Sequence, residues 1–138
     1  MKGAGVSRFS VSAPPELVEE FNATIKRMGF DRSKAVQAAM RNFLTEWKWT
    51  REARGVVTGG IVAIYDHKVR GIEEGLRSIQ HSSQRIISST MHIHLDERHC
   101  LEIVAVKGEA KAIQNLAQSL MGKRGMRQIK LALVAIPT

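Results

Sequence analysis

Residues 86–106 read IISSTMHIHLDERHCLEIVAV and contain two strand-like runs on either side of a charged segment. Its β-branched and alternating residues predict one strand over residues 86–95 and another over residues 100–106. The charged residues at 96–98 predict the turn between them. The stretch is therefore expected to form an antiparallel hairpin.

Helices and strands flank this hairpin on both sides. A strand and a helix precede it, and a helix and a strand follow it, at residues 56–65, 68–81, 109–121 and 126–136. The order βαββαβ is the ferredoxin-like split βαβ arrangement, with both helices on one face of a four-stranded antiparallel sheet. The predicted fold class is therefore α+β, and the opposite sheet face is open unless something else covers it.

The N-terminal part of the chain has a different organisation. Apolar Phe9 and Val11 alternate with polar residues and predict a short strand, which two amphipathic helices follow. One strand and two helices in about 50 residues bury too little apolar surface to fold alone. We therefore expect residues 1–52 to form an intertwined βαα dimer with paired strands, and residues 53–138 to form the βαββαβ domain.

The composition narrows the functional classes. The 138 residues include 21 Lys and Arg against 13 Asp and Glu, and the resulting charge of +8 favours an acidic partner such as nucleic acid or an anionic membrane. The one cysteine, Cys100, excludes an intramolecular disulfide framework and fits a reducing cytosol. Residues 1–6 lack the apolar run of a signal peptide, and the apolar stretch at 131–136 is too short to span a bilayer. A cytoplasmic protein with no membrane partner is expected.

The hairpin carries a candidate metal site. His92 and His94 are two residues apart on one strand and project from the same face. Cys100 starts the partner strand across the turn, so two imidazoles and a thiol can converge. Taken singly, a cysteine is more often a small buried hydrophobe than a ligand. The combination favours three ligands of a site for a late first-row transition metal.

A fourth ligand would close a four-coordinate site, and His81 at the end of the preceding helix is the nearest good candidate. We expect the helices to cover the sheet face of Met91, Ile93 and Leu95, so that His92 and His94 point away from them. His81 would then reach the site most easily from another subunit. Nickel or copper suits a nitrogen-rich square-planar site and zinc a tetrahedral one, and the residues alone leave this choice open.

The N-terminal strand is a candidate for binding DNA. A two-stranded ribbon fits the major groove, where Arg8 can contact guanine and Ser10 and Ser12 can bond to base edges or phosphate. The start of the second helix, at residues 32–34, can hold a phosphate through its free N–H groups. A solvated strand face on a dimerisation element is the alternative interpretation of the same pattern.

These features together resemble the NikR family of nickel-responsive, ribbon-helix-helix transcriptional regulators, over residues 8 to about 133. The spacing from His81 to His92, His94 and Cys100 matches the nickel ligands of that family and is the most specific part of the resemblance. Further matching segments lie at residues 8–12, 32–35, 80–81, 91–94, 100–102 and 106–109.

The resemblance implies a homotetramer that binds double-stranded operator DNA and one Ni²⁺ per subunit. Nickel would lie between subunits, with His81 supplied by one and the other ligands by its neighbour. The resemblance also implies residues that support the ligands, namely Gln80, Glu102 and Tyr65. The residues that it implies for base and phosphate contacts are Arg8, Ser10, Ser12, Arg32, Ser33, Lys68 and Arg70.

The sequence departs from the family at one point. Lys34 and Ala38 stand where members of the family commonly carry acidic residues that hold a second cation. We therefore expect no potassium site, with the Lys34 ammonium in the place of the cation. Residues 1–5 precede the matching region and are expected to be disordered rather than to touch DNA.

Two other functional classes remain at this stage. The βαββαβ domain also resembles ACT domains that sense small molecules, although these would not need the three histidines and Cys100 together. A metalloenzyme could use Glu102 as a base, but four protein ligands fill a four-coordinate site, so no enzymatic activity is expected. A sensor of another transition metal with the same fold is a further alternative to the nickel-responsive regulator.

Overall fold

A computed structural model describes residues 5–136, and at residues 49–51 it describes the backbone alone. Residues 1–4, which include most of the segment expected to be disordered, lie outside the described range. By its contacts the chain divides into two units, the first ending at Phe43 and the second beginning at Leu44. The boundary that we predict at residues 52 and 53 remains a prediction, because the division by contacts falls inside a continuous helix.

The first unit contains α1 (Pro15–Met28) and the first part of α2 (Arg32–Glu52). Gly29 ends α1 in the left-handed conformation at φ 72°, which glycine adopts without steric cost. The carboxylate of Asp31 accepts a hydrogen bond of 2.8 Å from the backbone N–H of Lys34 and thereby caps α2. No described residue of α1 is buried, so its apolar side is open in the single chain.

Residues 5–14 contain neither helix nor strand. The predicted strand would obtain its hydrogen bonds from a second copy of the chain. Phe9 is 64% exposed and Val11 is 79% exposed, which leaves both apolar side chains to be covered. The ribbon therefore remains a prediction.

The second unit has the predicted βαββαβ order. Its elements are β1 (Val56–Asp66), α3 (Ile72–Ser82), β2 (Ile87–His94), β3 (His99–Glu109), α4 (Ala110–Met121) and β4 (Met126–Ala135). The strands form one antiparallel sheet in the order β2-β3-β1-β4. The fold is α+β with a four-stranded sheet. None of the helices within residues 5–136 is long and apolar enough to cross a membrane.

Helix α3 begins at Ile72, four residues later than predicted. Gly71 precedes it at φ 85°, a backbone conformation outside the helical region that side chains rarely tolerate. Lys68 and Arg70 consequently lie in the loop between β1 and α3 rather than in the helix.

The core lies between one face of the sheet and helices α3 and α4. Ile61 of β1, Val104 of β3 and Ile113 of α4 are at most 1% exposed, and Leu76 of α3 packs in the same cluster. Alternation along β3 places Cys100 on the same face as Val104. The beginning of β3 therefore brings the one cysteine to the edge of the core.

One expectation about this sheet is wrong. The register places His94 opposite Cys100, so His92 and His94 share the helix-covered face with the core. Met91, Ile93 and Leu95 belong to the other side and remain exposed. Because β2 is an edge strand and α4 packs mainly over the other three strands, both histidines are also exposed despite being on the helix side.

Candidate metal centre

Three donor residues meet where β2 ends and β3 begins. The pairs His94–Cys100 and His92–Glu102 are opposite each other in the antiparallel register, and the turn between the strands is only four residues long. Strand alternation then points His92, His94 and Cys100 to one face. The sequence correctly predicts that these three side chains come together.

The geometry of the three donors fits a metal ion. One ligand atom from each of His92, His94 and Cys100 lies within 4.8 Å of the other two. Two ligands of one transition-metal ion are about 3 to 4.5 Å apart, because metal–nitrogen and metal–sulfur bonds are about 2.0 to 2.3 Å long. Sγ of Cys100 is already 3.3 Å from Nδ1 of His94. Small side-chain movements would therefore complete a three-ligand site.

Tyr65 lies directly beside these ligands. It pairs with Cys100 across β1 and β3, and its hydroxyl is 3.4 Å from Nε2 of His92. Burial and the neighbouring Glu102 carboxylate raise the pKa of Tyr65 above its ordinary value. The hydroxyl therefore stays protonated and also bonds with the thiol of Cys100.

The cysteine is held in its neutral form in the single chain. Cys100 is fully buried, and this desolvation raises the pKa of its thiol. The Tyr65 hydrogen bond acts in the opposite direction but does not outweigh burial. Since metals bind the thiolate, a metal ion must displace a proton from Cys100.

His81 is not part of this cluster. It is the tenth residue of α3, and only four residues separate the end of α3 from Ile87, where β2 begins. A strand rises about 3.3 Å per residue, so His94 lies about 23 Å further along the sheet than Ile87. His81 therefore lies near the opposite end of the domain from the three donors of its own chain.

The neighbouring Gln80 has an unusual environment. Its Nε2 atom is buried and finds no hydrogen-bond acceptor within the described part of the chain. Buried amide groups are nearly always paired, so the end of α3 is incomplete in the single chain.

The candidate DNA-contacting residues fall into separate segments. Arg8, Ser10 and Ser12 are exposed in the segment that precedes α1. Arg32 and Ser33 are exposed at the first turn of α2, and Lys68 and Arg70 are exposed in the loop before α3. The structure leaves all seven side chains accessible.

Sequence reasoning missed a buried carboxylate next to the metal cluster. Asp66, at the end of β1, is 1% exposed and contacts Arg98 and Arg127. The sequence does not indicate that this acidic residue is buried and paired, because both arginines are far from it in the chain. The ring of His67 lies edge-on to that of His94, with the centroids 6.1 Å apart.

A βαββαβ domain with a cluster of two histidines and one cysteine on its sheet indicates a protein of the metal-binding class. Comparison with known families agrees, because residues 58–134 match the model of the NikR C-terminal nickel-binding domain. The chain belongs to the family of nickel-responsive regulators, whose members are not enzymes. His92, His94 and Cys100 form the three-donor cluster within the matched region.

Relatives match over nearly the whole chain. A protein of Methanococcus maripaludis named "Putative nickel-responsive regulator" is 38% identical over 130 residues, which cover 94% of this chain and 92% of that protein. A relative from Methanothermobacter thermautotrophicus, whose name adds the number 2, is 36% identical over 90% of this chain and 89% of its own. A relative from Methanocaldococcus jannaschii is 37% identical over 94% of this chain and 92% of its own.

A solved structure shares the fold. An uncharacterized protein of Thermotoga maritima superposes on 57% of this chain and 99% of its own length with a TM-score of 0.50. Its sequence identity is 15%, so the likeness concerns the fold alone.

Proposed function

We propose that this chain is a cytoplasmic, nickel-dependent DNA-binding regulator that represses genes of nickel uptake when Ni²⁺ is bound. The observation that carries the proposal is the cluster of His92, His94 and Cys100, which supplies three donors of a four-coordinate site and leaves one position for another chain. Membership of the nickel-responsive regulator family supports nickel as the metal.

The fourth donor is His81 of a second subunit. Its position about one strand length from the cluster of its own chain supports this origin, since no small movement of α3 would close that distance. Three imidazoles and a thiolate are a donor set suited to Ni²⁺ or Cu²⁺ in planar coordination. A bound ion would supply the coordinate bonds that join the two subunits, at one Ni²⁺ per subunit.

Tyr65, Glu102 and Gln80 support the ligands. The Tyr65 hydroxyl contacts both His92 and Cys100, so it restricts the orientation of one ligand and stabilises the thiolate of the other. Glu102 lies opposite His92 in the register and is 8% exposed. The unpaired amide of Gln80 precedes His81 directly, where a second subunit would complete its hydrogen bonds.

The first 52 residues are the DNA-binding part, as a ribbon-helix-helix dimer, and residues 53–138 are the ACT-like part that forms the tetramer. The exposure of Phe9, Val11 and Leu17 supports an intertwined dimer, which would bury all three. Arg8, Ser10 and Ser12 would read the major groove, and Arg32, Ser33, Lys68 and Arg70 would contact phosphates.

Metal binding and DNA binding are coupled in this proposal. Sharing His81 between subunits favours one arrangement of the tetramer, and operator DNA favours the same arrangement. Nickel must then tighten DNA binding by the same factor by which DNA tightens nickel binding.

The deciding experiment measures binding of the full chain to a duplex selected from a random-sequence library, with and without one equivalent of Ni²⁺ per subunit. We expect tight binding only with nickel. Binding that is equal in both conditions, together with unchanged absorption on nickel addition, would instead favour a small-molecule sensor of the ACT type. The same titration with Cu²⁺ and Zn²⁺ separates nickel sensing from sensing of another metal.

The origin of His81 is tested by mixing two inactive variants. His81→Ala and Cys100→Ala chains each lack one ligand, but a mixed tetramer contains some sites with all four. We expect nickel binding to reappear in the mixture. A mixture of Cys100→Ala with His92→Ala chains is the matched control. Both residues belong to the three-residue cluster, so every subunit of this mixture has a cluster that lacks one ligand, and no site can be complete. No restoration in the first mixture would disprove the shared site.

A further inference from the structure

Three loops meet at the end of the sheet where β1 finishes. They are the β1–α3 loop, the β2–β3 turn and the α4–β4 loop. Backbone hydrogen bonds join them, since Asp66 N–H donates to the Gly125 carbonyl and His67 N–H donates to the Arg98 carbonyl. Residues 66–71, 96–99 and 122–127 form these loops and the adjoining strand ends. They carry six cations against three acids, the cations being Lys68, Arg70, Arg98, Lys123, Arg124 and Arg127.

A buried carboxylate organises two of these cations. Oδ2 of Asp66 is 3.3 Å from Arg98 and 3.2 Å from Arg127, and its Oδ1 accepts a hydrogen bond from the Lys68 backbone N–H. We call Asp66, Arg98 and Arg127 the Asp66 clamp. Because one carboxylate pairs with two guanidinium groups, the Asp66 clamp has a net charge of one positive unit.

The clamp presents unused donors to solvent. The Arg98 side chain is 60% exposed and the Arg127 side chain is 49% exposed, whereas that of Asp66 is 2% exposed. A guanidinium has five N–H donors, and each arginine directs a single nitrogen at Asp66. The remaining donors are held in a fixed orientation, which suits the two-oxygen recognition of a phosphate.

We propose that the Asp66 clamp binds a phosphate of the DNA backbone, next to the contacts of Lys68 and Arg70. This inference rests on the proposed DNA-binding function and extends its surface to the end of the sheet. The cations are distributed over three loops instead of lining one enclosed cavity, which fits a row of phosphates better than one small anion.

The test compares single variants on the nickel-loaded full chain. Arg98→Gln and Arg127→Gln each leave the other arginine on Asp66, so both chains are expected to fold. Arg85→Gln is the matched control, because Arg85 is an exposed arginine just before β2, at the opposite end of the sheet. Dissociation constants for the selected duplex are measured from 50 to 200 mM KCl.

Loss of one phosphate contact lowers the slope of log Kd against log salt by about one. Between about 50 and 200 mM KCl the Kd of every chain rises. The factor of this rise should be about threefold smaller for Arg98→Gln or Arg127→Gln than for the unmutated chain. Arg98→Lys should keep the slope but bind DNA less tightly than the unmutated chain, because lysine retains the charge and lacks the paired N–H donors of the planar guanidinium. The nickel absorption spectrum should be the same for all variants.

Two failures have different meanings. If the nickel-loaded unmutated chain selects no duplex, both the DNA-binding function and this inference are wrong. If it binds DNA and the Arg98→Gln and Arg127→Gln slopes equal that of Arg85→Gln, the function stands and the inference is wrong. Loss of binding to phosphatidylglycerol vesicles in the clamp variants, with unchanged DNA slopes, would also overturn it.

Discussion

Sγ of Cys100 lies 3.3 Å from Nδ1 of His94, across the antiparallel pair that closes the β2–β3 hairpin. The two residues are six apart in sequence, so a short turn is enough to bring a thiol and an imidazole into contact. This relationship makes the hairpin itself the basis of the candidate metal site. The consequences of removing or perturbing either partner follow from it.

Replacing Cys100 by Ser should remove the thiolate from the site. We expect the thiolate-to-nickel charge-transfer absorption to disappear and the nickel affinity to fall by at least about 100-fold, since even loss of a residue that only supports a ligand costs about 10- to 100-fold. Absorption titration with Ni²⁺ checks both quantities. His99→Gln is the control, because His99 bonds to Asp96 and is outside the donor cluster. Equal affinities of the two variants would exclude Cys100 as a ligand.

Nickel affinity should depend on pH through the same cysteine. Burial raises the pKa of the Cys100 thiol, so at pH 6 to 8 the metal-free chain carries a proton that nickel must displace. Each unit of pH decrease should therefore weaken nickel binding about tenfold from this proton alone. Competition against a chelator at several pH values measures the dependence. An affinity that does not change over this range would show that binding releases no proton from the site.

Tyr65→Phe should weaken nickel binding without removing a ligand. The hydroxyl contacts His92 and bonds with Cys100, and its loss leaves both ligands less well oriented. We expect an affinity lower by about 10- to 100-fold and a charge-transfer band that is retained but shifted. Tyr65 is also a core residue, so urea unfolding of the metal-free variant must be measured beside the titration. A reduced affinity with an unshifted band would point to packing alone.

Asp66 should make the stability of the chain sensitive to acid. Burial of its carboxyl opposes ionisation, but the Lys68 N–H and the charges of Arg98 and Arg127 outweigh this and lower the pKa of Asp66. A carboxyl with a lowered folded-state pKa contributes its stability above the unfolded pKa of about 3.9 and loses it as the pH falls further. Asp66→Asn should therefore unfold at lower urea than the unmutated chain at pH 7, and the difference should shrink below pH 4.

A second acid provides the comparison for this prediction. Glu97 is an exposed acid in the neighbouring β2–β3 turn, and Glu97→Gln should leave the urea midpoint nearly unchanged at both pH values. If the urea midpoint of Asp66→Asn is as little changed as that of Glu97→Gln, the ion pairs of Asp66 with Arg98 and Arg127 do not stabilise the fold.

The sequence predicts the local part of this architecture and misses the part that depends on packing. The convergence of His92, His94 and Cys100 follows from strand alternation and a short turn, both of which are visible in the residues. The covered side of the sheet is decided by the packing of Ile113 against Val104, and alternation in β2 contains no information about it. The apolar Met91, Ile93 and Leu95 therefore suggested the wrong face.

Long-range pairing explains the other omission. Asp66 meets partners 32 and 61 residues away, and their contact depends on the sheet order that brings three loops together. In the sequence, no spacing or motif links Asp66 to Arg98 in the β2–β3 turn or to Arg127 in β4. By contrast, Gly29 and Asp31 define the boundary between α1 and α2 through backbone preferences that depend only on neighbouring residues.

Lys34 should make DNA binding independent of potassium. Its backbone is held at the first turn of α2 by the Asp31 cap, and its exposed side chain supplies a positive charge at the position where the family resemblance implies an acid for a second cation. We expect equal gel shifts of nickel-loaded chain and operator in potassium and in sodium buffers of the same ionic strength. Lys34→Glu combined with Ala38→Asp should introduce a potassium requirement, whereas Lys26→Glu, with a similar charge change on α1, should not. A strict potassium requirement of the unmutated chain would show that the Lys34 ammonium does not replace the cation.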